Sequence, residues 1–230
     1  KVIDVVDIVT KDDKETFEVE ELVGKDAPFA YHINYKNHGF GKFKLDEKSL
    51  KAFGDNLISI EESMSRKQIY NIMYDMLKEN YLSGAQLLDI CKQQLVKETA
   101  VDVLTDVMRF VVPVVIKNYI PIEIYEKSHH DIFELFLSIL ASGSITDKST
   151  EHLVMEAVFS SARNEDHIAL LVNWYKTGFV HTIDGKKLDK VEVSKKHKHS
   201  IIQRIWSSEN ITLEEKQALL AQLEKQDQSD

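Results

Sequence analysis

A chain of 230 residues, 43% apolar and 29% charged, suits a soluble globular protein of one large or two small domains. Its 29 Lys and Arg against 38 Asp and Glu give a net charge of -9, which argues against nucleic acid as a partner. The lone Cys91 excludes a disulfide framework or a cysteine-built zinc site within the chain. No apolar run approaches the ~20 residues of a membrane-spanning helix.

The first 35 residues alternate. Val2–Thr10 reads as a strand entered midway, Lys11–Lys14 as a polar turn and Thr16–Val23 as a second strand. After the turn Gly24-Lys25-Asp26, Pro28 restricts the start of a third strand, Phe29–Tyr35. Three antiparallel strands make a poor domain alone, so residues 1–44 are expected to be the end of an incomplete β-sandwich and its junction. In that junction Asn37-His38-Gly39 is a turn. Gly39 and Gly41 are candidate hinge residues, free to take positive φ or to let another backbone approach. Phe40 and Phe43 are expected to pack on the sheet or the helices.

From residue 45 to 230 the apolar period becomes that of helices. Asp46 is an N-cap for Glu47–Phe53. Ser63 or Ser65 opens a helix to about Asn80, with Ile69, Ile72, Met73, Met76 and Leu77 on one face. Ser83 caps the next, which turns Leu87, Leu88, Cys91 and Leu95 inward. Thr99–Tyr119 is expected to be the most buried helix, kinked or broken near Val111–Pro113 because an interior proline costs ~3 kcal/mol. Pro121 suits the start of Ile122–Leu140. Asp147 or Ser149 opens another helix. Glu165–Thr177 ends at Gly178, a natural C′ residue. Phe179–His199 reads as irregular, with a turn at Asp184-Gly185. Ser200–Ser207 is a short helix, and Thr212 with Glu215 caps Leu213–Lys225. The class is mainly α: an irregular superhelix of HEAT- or armadillo-like helix pairs preceded by a few β-strands.

Catalytic sets are missing from the pattern. No His is followed by Glu, so there is no H-E-x-x-H zinc motif, and no Gly-rich phosphate loop or G-x-S-x-G occurs. His129 and His130 are adjacent and point apart on a helix, which suits surface histidines. His197-Lys198-His199, beside Lys195 and Lys196, reads as a solvated loop able to meet an anion. No catalytic or metal-ligating residue is therefore expected. Trp174 and Trp206 read as core. Arg109 and Arg163 are isolated arginines on or beside apolar helices, candidates for contacting a peptide or partner carboxylate, although intramolecular ion pairs are the commoner explanation.

The junction N-Y-K-N-H-G-F-G-K-F-K-L-D-E-K-S-L resembles the segment that joins the small β-sandwich to the helical C-terminal domain in zinc aminopeptidases of the aminopeptidase N family. The block from Ser65 to Asp89, with Asp75-Met76, then V-L-T-D-V-M-R-F-V-V-P, N-Y-I-P, K-H-S-I-I-Q-R-I-W and the terminal E-K-Q-D-Q-S-D continue the likeness over nearly the whole chain. The resemblance implies a non-catalytic fragment whose parent enzyme removes N-terminal residues from peptides. That parent's zinc, its H-E-x-x-H and its G-x-M-E-N motif would lie in a catalytic domain absent here, leaving no cofactor in this chain. The partners implied are that catalytic domain and, through it, a peptide substrate. The alternative is a free-standing helical scaffold for protein binding. A single cysteine leans towards the cytoplasm.

Overall fold

A computed structural model describes residues 5–8 and 18–228, with side chains to residue 225. Ten α-helices are found among them. In chain order they are α1 Glu47–Asn56, α2 Ser63–Lys78, α3 Gly84–Leu95, α4 Val101–Asp106, α5 Val112–Tyr119, α6 Tyr125–Ala141, α7 Lys148–Ser161, α8 Glu165–Thr177, α9 Lys195–Trp206 and α10 Leu213–Gln228. Their starts follow local chemistry. Asp46, Ser83, Asp147 and Asn164 each accept the amide three residues on, at Ser49, Gln86, Thr150 and His167. Each helix then packs on its near neighbours in sequence: α1 on α3, α2 on α3 and α4, α3 on α5 and α6, α6 on α7, and α9 on α7, α8 and α10. The result is a stack of helix pairs around one continuous apolar core, from Leu45 to Leu223. No helix among the described residues is long and apolar enough to cross a membrane.

The expected kink is a widened turn. Val107–Val111 is π-helical, with the Val112 amide bonded to the Val107 carbonyl, and joins α4 to α5 without a break. Pro113 follows at once. Its ring would strike the carbonyl four residues back in a regular helix, and the wide turn opens that gap. Burial in this stretch is one-sided, since Val103, Leu104, Val107, Met108, Val111 and Val115 are buried while Phe110 is exposed. Gly84 lets α3 approach α5. A Cβ there would lie 2.9 Å from the Tyr119 carbonyl carbon and closer still to its oxygen.

The strands fall elsewhere than expected. Val2–Thr10 lies partly outside the described residues, and its residues 5–8 hold no strand; of Thr16–Val23 residues 18–23 are described, and there Glu20–Leu22 is a 3-10 turn instead of a strand. Phe29–Tyr35 forms no strand, because no strand among the described residues pairs with it and its polar groups turn to the helices. The Tyr31 amide donates to Ser49 Oγ at 2.9 Å, and the Asn34 carbonyl accepts from Gln68 Nε2. The sheet lies instead within the stretch read as irregular. Strand β1 Phe179–His181 pairs antiparallel with β2 Lys187–Glu192 around the Asp184-Gly185 turn. Helix α9 begins five residues earlier than the period suggested.

The junction is built by asparagine rather than glycine. Asn34, Lys36 and Asn37 take positive φ; Gly39 and Gly41 do not. The Asn34 side chain brackets Gly39, accepting from its amide at 2.7 Å and donating to its carbonyl at 3.0 Å. A Cβ on Gly39 would meet Asn34 Oδ1 at 3.1 Å, a contact a small shift relieves, whereas Gly178 has φ +75. A β-branched residue in the left-handed region is strained wherever it points. Gly178→Val is therefore expected to cost about 1–3 kcal/mol and Gly39→Val less. Urea midpoints of the two variants measure the order, and a larger loss at Gly39 would contradict it.

Phe43 packs against the core, but Phe40 is fully exposed instead of packing. Along the preceding extended chain Phe29, Tyr31 and Ile33 are 67%, 43% and 40% exposed, while Ala30 between them packs on the core. One side of this segment is thus an uncovered apolar row.

Candidate functional site

The chemistry of the chain concentrates in two histidine pairs, each at the start of a helix. Asn164 caps α8 and Ser194 caps α9. In each case the third helical residue is a histidine whose amide donates back to the cap, His167 at 2.8 Å and His197 at 3.3 Å. Each ring also folds back, so that Nδ1 accepts a backbone amide at 3.3 Å, from Arg163 for His167 and from Ser194 for His197. An accepting Nδ1 leaves the hydrogen of the neutral ring on Nε2. That Nε2 then donates to Nδ1 of a histidine on a neighbouring helix. His167 reaches His130 of α6 at 2.9 Å, and His197 reaches His152 of α7 at 2.7 Å. Ring centroids are 5.1 and 4.9 Å apart, about two ring radii beyond the N···N distances, so each pair lies end to end in its hydrogen-bond plane rather than face to face.

The pairs differ in where a glutamate one turn away is aimed. Glu134 approaches the far nitrogen of its histidine, His130 Nε2, at 3.6 Å. Glu156 approaches the same His152 nitrogen that faces His197, with Oε1 3.9 Å from Nδ1, and is held there by Ser200 Oγ at 2.8 Å. Among the described residues His152, Glu156 and His197 are the one trio whose ligand atoms converge, all within 4.8 Å.

Around the first pair an apolar ring, a further histidine and two arginines gather. Phe133 stacks on His167 at 3.9 Å, and buried His129 meets the Tyr125 ring at 4.6 Å with both nitrogens lacking a partner. Arg163 lies over Tyr125 at 5.7 Å, and Arg204 donates to the Ala162 carbonyl. Among the described residues neither Arg163, Arg204 nor the exposed Arg109 pairs with a carboxylate, so the expected ion pairs do not form, and the structure does not bring the two sequence candidates together: Arg109 lies in the π-helical turn between α4 and α5 and Arg163 in the link between α7 and α8. His129 is buried rather than a surface residue.

Protonation follows. Burial first, then the charges of Arg163 and Arg204, push His129 down to about 4. Burial first, then His130, push His167 down to about 4, with Asp166 opposing weakly. Burial and Arg163 lower Arg204 as well. Folded rings that resist a proton bind fewer protons than the unfolded chain between pH 6.5 and 4, so stability is fully present above pH 6.5 and is lost as pH falls through that window. The expected loss is roughly 2–3 kcal/mol per ring at its acid end. The cap aspartates Asp46 and Asp147 act lower, because hydrogen bonds from Ser49 and Thr150 hold them below 3.8. Urea midpoints between pH 7 and 4.5 test the histidine effect, and His167→Gln should flatten the slope. A midpoint unchanged over that range would count against it. Cys91, fully buried, is inert: burial pushes its thiol up to about 12.

Sequence reading missed both pairs. The His-x-x-x-Glu spacing of His130/Glu134 and His152/Glu156 was visible on one helix face. Their partners were not, because they come from 37 and 45 residues away. No protein family, curated protein or solved structure was found to match this chain.

Proposed function

We propose that this chain is a non-catalytic, helical C-terminal region of a zinc aminopeptidase of the aminopeptidase N family. In the whole enzyme it would cap the active-site cleft and help to form the chamber for a peptide losing its N-terminal residue. The observation that carries this reading is the order of the sequence blocks, from Asn34–Leu50 through Ser65–Asp89 and Val103–Pro113 to Lys198–Trp206. Two features of the fold support it. Successive helices pack on one another, and the exposed row Phe29, Tyr31 and Ile33 is a surface that a neighbouring domain would cover. The zinc and the residues holding the peptide amine would belong to that neighbouring domain.

The gene's reading frame tests this directly. The expected finding is an H-E-x-x-H and a G-x-M-E-N motif ahead of Asn34. A frame that opens near Lys1 would overturn the proposal and favour a free-standing scaffold. The purified chain should not turn over an aminoacyl-aminocoumarin substrate with or without zinc, and robust turnover would likewise overturn it.

A further inference from the structure

We propose that His152 and Glu156 of α7 and His197 of α9 form a binding site for one divalent zinc ion, a staple between two helices within this chain. It rests on these residues alone and not on the family reading above. The donor set is of the right kind, two imidazoles and one carboxylate, which suits a borderline divalent ion such as Zn²⁺. The spacing is close to what the ion needs. Ligand atoms on a tetrahedral zinc, each about 2.0–2.2 Å from the metal, stand about 3.3 Å apart. Here His152 Nδ1 lies 2.7 Å from His197 Nε2 and 3.9 Å from Glu156 Oε1, so one gap must open and the other close by about 0.6 Å each, while the Glu156–His197 gap, within 4.8 Å, must close by up to about 1.5 Å. His152 and Glu156 are half-buried, and side-chain torsions suffice for both moves. The open side faces solvent and leaves a fourth position for water.

Two observations favour a cation over a mere hydrogen bond. The ligand atoms of His152, Glu156 and His197 gather within 4.8 Å of one another, and the two rings, which meet end to end, turn about their side-chain torsions to face one ion. The sister pair shows the alternative, since Glu134 there faces the opposite nitrogen of His130 and no three donors meet. Supporting groups are in place as well: Ser200 fixes the Glu156 carboxylate at 2.8 Å. On binding, the ion takes the place of the His197 Nε2 hydrogen. That proton passes through solvent to Nδ1, because the neutral ring keeps one N–H, and the long 3.3 Å contact from the Ser194 amide is given up.

The test is a calorimetric titration of the whole chain with ZnCl₂ at neutral pH after chelator treatment, with cobalt as a visible reporter of low coordination. The expected result is one saturating equivalent and a raised Tm. His152→Gln and Glu156→Gln should each weaken binding by more than the ~10–100-fold that a supporting residue costs, and Ser200→Ala by about that amount. His130→Gln should leave it unchanged. Glu156→Gln keeps the shape and the Ser200 contact, so its loss of binding in a chain with native circular dichroism speaks for ligation rather than misfolding. Absence of saturable binding, a second equivalent of equal affinity, or equal weakening by His130→Gln would overturn the site.

Discussion

Replacing Arg66 with Ala is expected to cost 3–5 kcal/mol of stability, among the largest losses available in this chain. Arg66 and Glu98 form a two-pronged pair, Nε to Oε2 and Nη2 to Oε1, both at 2.7 Å, with side chains only 7% and 3% exposed. Further backbone groups join the pair. Arg66 Nη1 donates to the carbonyls of Ile60 and Glu61 at 2.6 and 3.0 Å, and Glu98 Oε1 accepts the amides of Thr99 and Ala100 at 2.9 and 2.8 Å. The pair therefore closes the loop before α2 and holds the turn that leads into α4 in one network. Removing the arginine leaves a buried carboxylate uncompensated, which is why the loss exceeds that of an exposed pair. The double variant Arg66→Met with Glu98→Met should recover only part of it, because those four backbone groups stay without partners. Urea unfolding of the three chains measures this. Full recovery in the double variant would show that the ion pair, and not the backbone network, carries the effect.

Trp174→Ala should cost a similar 3–5 kcal/mol. The indole is wholly buried, lies edge-on to Phe159 at 6.3 Å, and donates Nε1–H to the His181 carbonyl at 3.0 Å. It thereby fixes the end of β1, and with it the hairpin that delivers Ser194 to the start of α9. Trp174→Phe keeps most of the packing and loses the hydrogen bond, so about 1–3 kcal/mol should go with it. A loss below 1 kcal/mol for the alanine variant would mean that the site collapses around the gap.

The helices were legible because their signals are local. Asp46, Ser83 and Asp147 cap where their side-chain chemistry says they should, and Gly178 ends α8 in the left-handed conformation its position implies. The start of α9 was hidden by its own cap. A capping box is read from Glu or Gln at the third helical position, and here histidine fills that role. The N-terminal alternation was real as a pattern, with Ala30 inward and Phe29, Tyr31 and Ile33 outward, but a strand needs a partner that no local pattern reveals. The same limit hid the candidate site. His152 meets His197 only because α7 packs on α9, a contact set by the core and not by neighbours in sequence.

The widened turn at Val107–Val111 and Pro113 depend on each other. A π turn is a helix with one residue too many, and Pro113 is tolerated because that residue is there. Without the extra residue the proline would meet a clash of about 3 kcal/mol. Deleting exposed Phe110 should accordingly be harmless in a Pro113→Ala background and damaging with the proline in place, and equal thermal stability of the two deletions would contradict that dependence.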